Sequence, residues 1–129
     1  MSHRTRKARG SAAERELVHM FWDAGWAAFR APASGAMNVE LPDVIAGNAQ
    51  RKVAIEAKLT KESKKYLTKK EIDELRYFSE KFGCEAWVGV KFLRKPWKFW
   101  SLEDLRETAA SYVAALDDSK ALSFGELIE

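Results

Sequence analysis

The chain has 129 residues, 47% hydrophobic and 32% charged, a balance that suits one globular domain with its own core and excludes a largely disordered chain. No apolar run approaches the roughly 20 residues that span a bilayer, and no charged-then-apolar leader opens the sequence, so a soluble cytoplasmic protein without membrane contact is expected. The net charge of +3 hides a gradient: residues 103–129 hold 2 of the 22 Lys/Arg but 7 of the 19 Asp/Glu, which leaves the basic surface to the front of the chain.

Residues 1–9 carry Arg4, Arg6, Lys7 and Arg9 without an acid, and they read as a flexible basic arm ahead of a single domain spanning the whole of 1–129. From Ser11 to Ala24 the apolar positions Ala13, Leu17, Met20, Phe21 and Ala24 recur at helical spacing, and Gly25 supplies a stop. Trp26 to Arg30 reads as a first strand, Ala31 to Pro42 as a loop rich in small residues, and Asp43 to Ala46 as a second strand closed by a turn at Gly47 and Asn48. In the third strand Val53, Ile55, Ala57 and Leu59 alternate with Lys52, Ala54, Glu56 and Lys58. A second basic cluster follows, with Lys61, Lys64, Lys65, Lys69 and Lys70.

Thr68 and Glu71 form a T-x-x-E capping box ahead of Ile72, Leu75, Phe78 and Phe82, and Gly83 ends that second helix. Cys84 to Leu93 and Trp97 to Trp100 complete five strands, with Cys84 expected as a buried strand residue. The spacing then predicts a third helix over Leu102 to Leu116 and a short one near Ser123 to Ile128. The fold class is therefore α/β, a central mixed five-stranded sheet flanked by helices. The lone cysteine can form neither an internal disulfide nor a CxxC metal knuckle. The two basic segments suit a polyanion, whose neutralised phosphates release counterions, though solvation of a tail and a loop accounts for the charge equally well.

The strongest chemical signal is Pro42-Asp43 followed by Glu56-Ala57-Lys58, which spells PD-x12-ExK across one hairpin. Residues two apart on a strand share a face, so Glu56 and Lys58 emerge side by side, and the turn at Gly47 folds Asp43 back toward them. Two carboxylates meeting there can hold a hard divalent cation, leaving room for waters and a phosphate oxygen. A lysine beside that ion can orient or deprotonate an attacking water and offset charge in the transition state. The bland reading is a strand start after a proline and a solvated ion pair. Against it, charges set centrally in an apolar strand are expensive unless something pairs with them. Glu14, bordering the core face of the first helix, is the third carboxylate candidate, yet Ser11-x-x-Glu14 fits a helix-capping box equally well.

Taken together, Gly10, Ala13-Glu14-Arg15-Glu16-Leu17, Arg30, Ala33-Ser34-Gly35, Pro42-Asp43-Val44-Ile45-Ala46-Gly47-Asn48 and Ala54-Ile55-Glu56-Ala57-Lys58 resemble the archaeal-type Holliday junction resolvases of the PD-(D/E)xK nuclease superfamily. The likeness continues through Phe78-Ser79-x-x-Phe82-Gly83 and Val90-Lys91-Phe92-Leu93 to Trp97, covering about residues 4 to 100. The resemblance implies that Glu14, Asp43 and Glu56 bind the metal together with the backbone carbonyl of Ala57, and that Lys58 is the catalytic lysine. It places Arg15 and Arg30 among basic residues important for activity, and Ser34 on a loop near the scissile strand.

The same resemblance implies a homodimer acting on branched DNA in recombination and repair. It would make paired symmetric nicks in a four-way junction, leaving 5′-phosphate and 3′-hydroxyl ends. Mg²⁺ is the expected cofactor with Mn²⁺ as a substitute, and no small-molecule cofactor is expected. The DNA-binding set comprises Arg4, Arg6, Lys7, Arg9, Arg15, Arg30, Ser34, Lys61, Lys64 and Lys65. A dimer has a physical rationale of its own, because two equivalent strands call for two matching sites. The aromatic cluster Trp87, Phe92, Trp97, Phe99 and Trp100 is the expected source of interface area, unless it fills one side of the sheet. Two alternatives remain: a non-catalytic DNA-binding protein on the same fold, and a nuclease of the superfamily with another DNA target.

Overall fold

The computed structural model describes residues 3–32 and 39–129, with side chains from Arg9 onward. Ser34 and the side chains of Arg4, Arg6 and Lys7 thus lie outside the described residues. The first helix, α1, runs His3–Asp23 and so takes in residues that the sequence reading placed in an arm before Ser11. Leu17 and Phe21 are its fully buried contacts, one turn apart on the face that meets the sheet. Gly25 adopts φ 87°, a left-handed turn that glycine enters without steric cost, and the chain reverses into β1 (Ala27–Arg30).

The sheet order is β1-β2-β3-β5-β6, with β2 Val44–Gly47, β3 Lys52–Thr60, β5 Glu85–Phe92 and β6 Trp97–Ser101. Only β3 and β5 run parallel; the other three pairings are antiparallel, which makes the mixed five-stranded sheet expected from the sequence. The β2–β3 turn is held by Asn48, whose side-chain oxygen accepts the N–H groups of Gln50 and Arg51 at 2.8 Å, a local bond that asparagine offers a turn. Between β3 and β5 the chain forms β4 (Lys64–Thr68) and α2 (Lys69–Phe82). Both halves of the Thr68/Glu71 capping box are present, and Gly83 closes α2 at φ 78°.

The sheet separates two apolar cores. On one face Leu17 and Phe21 of α1 pack against Val44, Val53, Ile55, Trp97 and Phe99, joined by Leu127 of the short helix α3 (Phe124–Leu127). On the other, Ile72 and Leu75 of α2 pack against Ile45, Ala54, Val88, Val90 and Trp100. Phe92, Trp97, Phe99 and Trp100 are buried within the chain itself, so these four aromatics are core and supply no interface area, contrary to the sequence expectation; Trp87 is half-buried. Trp97 and Phe99 fill the α1-side core and Phe92 and Trp100 the α2-side core, so these large side chains cover both faces of the sheet toward its β6 edge.

The third helix expected over Leu102 to Leu116 does not exist. A single 3₁₀ turn (Leu102–Asp104) leads into β7 (Arg106–Glu107) and β8 (Ser111–Ala115), which form a second sheet in the order β4-β8-β7. Thr108 and Ser111 close the turn between them: the Ser111 carbonyl accepts the Thr108 N–H at 2.8 Å, and the Thr108 hydroxyl accepts the Ser111 N–H at 3.0 Å. Tyr112, Val113 and Ala114 are buried in succession, which a strand covered on both sides achieves and an amphipathic helix does not. Cys84 sits half-buried just before β5 and outside the strand. No helix among the described residues is long and apolar enough to cross a membrane.

Candidate active site

The site forms where the β2–β3 hairpin leaves the cover of α2. Val44 pairs with Ile55, so one step further Asp43 comes opposite Glu56, as the PD-x12-ExK spacing predicts. Asp43 is fixed by its backbone and by its side chain: its N–H donates to the Ile55 carbonyl at 3.0 Å, and its Oδ2 accepts the Ala57 N–H at 2.8 Å. The buried Pro42 holds the chain at that corner. On β3, Val53 and Ile55 enter the α1 core, so Glu56 and Lys58 take the α2 face, side by side. Glu56 is only 18% exposed and Lys58 23%.

Two carboxylates brought together in a half-buried place resist ionisation. Burial raises the Asp43 carboxyl from 3.8 to about 6, with the charge of Glu14 adding to it against the Ala57 hydrogen bond. Burial and then the charge of Asp43 push Glu56 from 4.5 to about 7. Lys58 is raised as well, which for a lysine favours the charged form. Burial alone would lower it, but the carboxylates of Glu71 and Glu56 hold it above the ordinary lysine value. At neutral pH it is therefore an ammonium, able to donate a hydrogen bond and to offset negative charge but carrying no lone pair with which to take a proton from water.

Glu14 stands near enough for its charge to weigh on Asp43, yet its Oε1 accepts from Arg30 Nε at 3.1 Å. Arg30, at the end of β1, also donates to Ser11 Oγ at 3.1 Å. Because α1 begins at His3, Ser11 lies inside the helix and caps nothing; the Ser11-x-x-Glu14 pattern serves as the seat of Arg30 instead. Arg9 and Arg15 are exposed on the same helix. Lys61 lies just beyond the end of β3 that carries Lys58, with Lys64 exposed and Lys65 half-buried on β4.

One residue of the site escaped the sequence reading. Glu71, whose spacing to Thr68 predicts only a capping box, also pairs through Oε2 with Lys58 Nζ. The cap signal masked this second use, since a T-x-x-E pattern is already explained by local geometry. The surrounding cleft is lined further by Glu40, Lys70 and Glu74, so acidic side chains outnumber basic ones in its lining.

Residues 5–129 match the family described as archaeal Holliday junction resolvase. The chain belongs to that family. It is 39% identical over 106 residues to the crossover junction endodeoxyribonuclease Hjc of Archaeoglobus fulgidus, covering 82% of this chain and 78% of the relative. With Hjc of Sulfolobus acidocaldarius it shares 39% identity over 126 residues, 95% of this chain and 87% of that one. The solved structure of Archaeoglobus fulgidus Hjc, described as a Holliday junction resolvase from an archaeal hyperthermophile, superposes with a TM-score of 0.87 at 33% identity, over 93% of this chain and all of that one. The family's members are thus nucleases that hydrolyse DNA, and membership implies dependence on a divalent cation.

The residues present fit such an ion in part. Asp43 and Glu56 offer an all-oxygen pair of the kind a hard cation takes, and their raised values come from burial and carboxylate repulsion that a bound cation would offset. Among the described residues, however, no three carboxylate, imidazole or thiol side chains stand together closely enough to hold a metal. Glu14 remains tied to Arg30 and not to the pair.

Proposed function

We propose that this chain is a structure-selective endonuclease that nicks two opposing strands of a four-way DNA junction, acting as a homodimer in recombination and repair, in the cytoplasm. The observation that carries the reading is the cross-strand meeting of Asp43 and Glu56 beside the ammonium of Lys58, in a chain of the resolvase family. Mg²⁺, with Mn²⁺ as a substitute, is the ion that this donor set suits, held by Asp43, Glu56 and the Ala57 carbonyl. Within a strand the N–H and C=O of one residue point to the same edge, so the Ala57 carbonyl faces Asp43 as its N–H does. When bound, the ion supplies Lewis acidity toward a phosphate oxygen and lowers the cost of ionising water.

The chain's own residues do the rest. Asp43 and Glu56 present two fixed carboxylates to the floor of the cleft. Lys58 donates to the non-bridging oxygens of the scissile phosphate and offsets the charge that grows there. Arg30 holds Glu14 at the edge of the site, from which Glu14 can turn toward Asp43 once Arg30 takes a phosphate instead. Arg9, Arg15, Lys61 and Lys64 bring the DNA backbone to an acidic cleft that it would otherwise avoid; Arg4, Arg6, Lys7, Lys65 and Ser34 complete the proposed DNA surface. Two active sites related by two-fold symmetry suit the two equivalent strands of a junction. Trp22, Phe29, Tyr77 and Phe82, all more than 45% exposed, leave apolar area on the monomer for an isologous contact.

The test is a labelled mobile junction incubated with the protein and Mg²⁺, beside EDTA and Glu56→Ala controls. Paired symmetric nicks that both controls abolish are expected. Binding without cleavage in any divalent metal, or equal cleavage of junction, flap and plain duplex at one salt concentration, would overturn the reading.

A further inference from the structure

We propose that Glu71 is a positioning residue for Lys58: it holds the lysine ammonium beside the Asp43–Glu56 pair and keeps it from collapsing onto that pair. This rests on the reading of Lys58 given above. Glu71 is anchored by the first turn of α2 and faces two ways. Its Oε1 accepts the Thr68 N–H at 2.9 Å, and its own N–H donates to Thr68 Oγ1 at 3.0 Å. The other oxygen, Oε2, is left for Lys58 Nζ, which lies closer to it than to Glu56 Oε2 at 3.4 Å.

The division of oxygens gives the geometry its purpose. A lysine side chain has four rotatable bonds and loses considerable rotamer freedom when held in one place. Alone beside Asp43 and Glu56, an ammonium would settle between them and occupy the place that a divalent cation needs. Glu71 offers a competing carboxylate from the first turn of α2, nearer to Nζ than Glu56 is, and the cap keeps that carboxylate from following the lysine inward. The ammonium is thereby parked at the border of the site, charged and aimed, while Glu56 keeps one edge free. A carboxylate set only to cap α2 would leave Oε2 to water. Here it meets the one lysine of the PD-x12-ExK motif across 13 residues of sequence.

The decisive variant is Glu71→Gln, which keeps an oxygen for the Thr68 N–H but presents an amide N–H₂ to the ammonium. Single-turnover cleavage of the junction at saturating protein, junction affinity in EDTA and melting temperature are measured for each variant. Glu71→Gln is expected to slow cleavage about 10- to 100-fold, the size of a lost charge-assisted hydrogen bond, with affinity unchanged within about twofold. Glu71→Asp, which restores the charge, should recover part of that rate.

Thr68→Ala separates the cap from the pairing, since it weakens the cap and leaves the Glu71–Lys58 pair in place. Wild-type cleavage by Glu71→Gln, no recovery by Glu71→Asp, or an equal slowing by Thr68→Ala would each overturn the proposal. Lys58→Ala is the parallel control. If it cleaves at the wild-type rate, the reading of Lys58 itself has failed. If it is slow while Glu71→Gln is not, only the role of Glu71 falls.

Discussion

The two faces of the central sheet are built from the same strands and to opposite ends. Under α1, every inward position of β2 and β3 from Val44 to Ile55 is apolar and sealed, with Phe99 fully buried against them. Under α2, the apolar contacts begin at Ala54 and Ile45 and stop where β3 reaches Glu56, and from there Asp43, Glu56, Lys58 and Glu71 share a half-buried corner. The first face converts burial into stability at roughly 25 cal/mol per Å² of apolar surface. The second spends it, because each carboxylate removed from water is paid for in ionisation, as the raised values of Asp43 and Glu56 record. A fold keeps such a corner for chemistry; function is the face that does not optimise packing.

That contrast is broken most severely at the charged corner. Glu56→Ala or Lys58→Ala is expected to slow junction cleavage about 100- to 1,000-fold; melting temperature should hold or rise for Glu56→Ala and fall modestly for Lys58→Ala, which strips Glu56 and Glu71 of their counter-charge. Cleavage timed on pre-bound junction, beside calorimetric melting of the same samples, checks both halves. Loss of fold together with loss of rate would mean that the corner is structural after all.

On the sealed face the expected outcome reverses. A Cβ added at Gly89 of β5 would lie 2.8 Å from Phe99 Cε1 and 3.3 Å from Ile55 Cγ2. Phe99 is fully buried and has nowhere to retreat. Gly89→Ala should therefore cost about 1–3 kcal/mol, read as a lower denaturant midpoint, with cleavage unchanged at temperatures where the variant is folded.

How far each face could be read from sequence follows the range of the interactions behind it. The hairpin with Asp43, Glu56 and Lys58 was legible because period-two alternation and a short turn are local. Residues 102–116 were misread because Leu102, Leu105, Tyr112, Val113 and Leu116 mimic helical spacing, whereas the partner that makes Ser111–Ala115 a strand is β4, more than 40 residues earlier. β4 itself was hidden by Lys64 and Lys65, which read as a charged loop until Tyr66 and Leu67 are seen in alternation with them. Glu14 shows a different limit. Its partner Arg30 comes from another element, and a pattern local to α1 suggested a cap that the helix start at His3 removes.

The carboxylate pair gives a prediction whose sign is fixed by linkage. Asp43 and Glu56 have folded values near 6 and 7, above the 3.8 and 4.5 of the unfolded chain. Groups raised in this way favour the folded state fully below the unfolded values, and that contribution is lost as pH rises through the folded ones. The metal-free protein should accordingly lose stability between about pH 4 and pH 8 through this pair. Asp43→Asn or Glu56→Gln should flatten that slope and raise stability at neutral pH by about 1–2 kcal/mol. Adding Mg²⁺ should stabilise the wild type and leave both variants nearly unmoved. Urea unfolding at a series of pH values, with and without the ion, decides it. A variant less stable than the parent at pH 8 would show that the pair is satisfied internally and has no need of a cation.

The smallest expected effect lies on β4, where alternation puts two adjacent lysines to different uses. Lys64 is exposed, Lys65 half-buried and Leu67 fully buried, so Lys64 faces solvent while Lys65 turns toward the body of the protein. An exposed lysine against a phosphate releases roughly one counterion, about 0.9 in the slope of log affinity against log salt. Lys64→Gln should therefore flatten that slope by up to about 1 and weaken junction binding a few-fold at moderate salt. Lys61→Gln should act likewise, being exposed beyond β3, and Lys65→Gln should change the slope less than either. None of the three touches the Asp43–Glu56 pair, so cleavage of bound junction should be unchanged. A slope that responds to Lys65 and ignores Lys64 would place the DNA on the other side of β4, and the basic surface would then have to be rebuilt around α1.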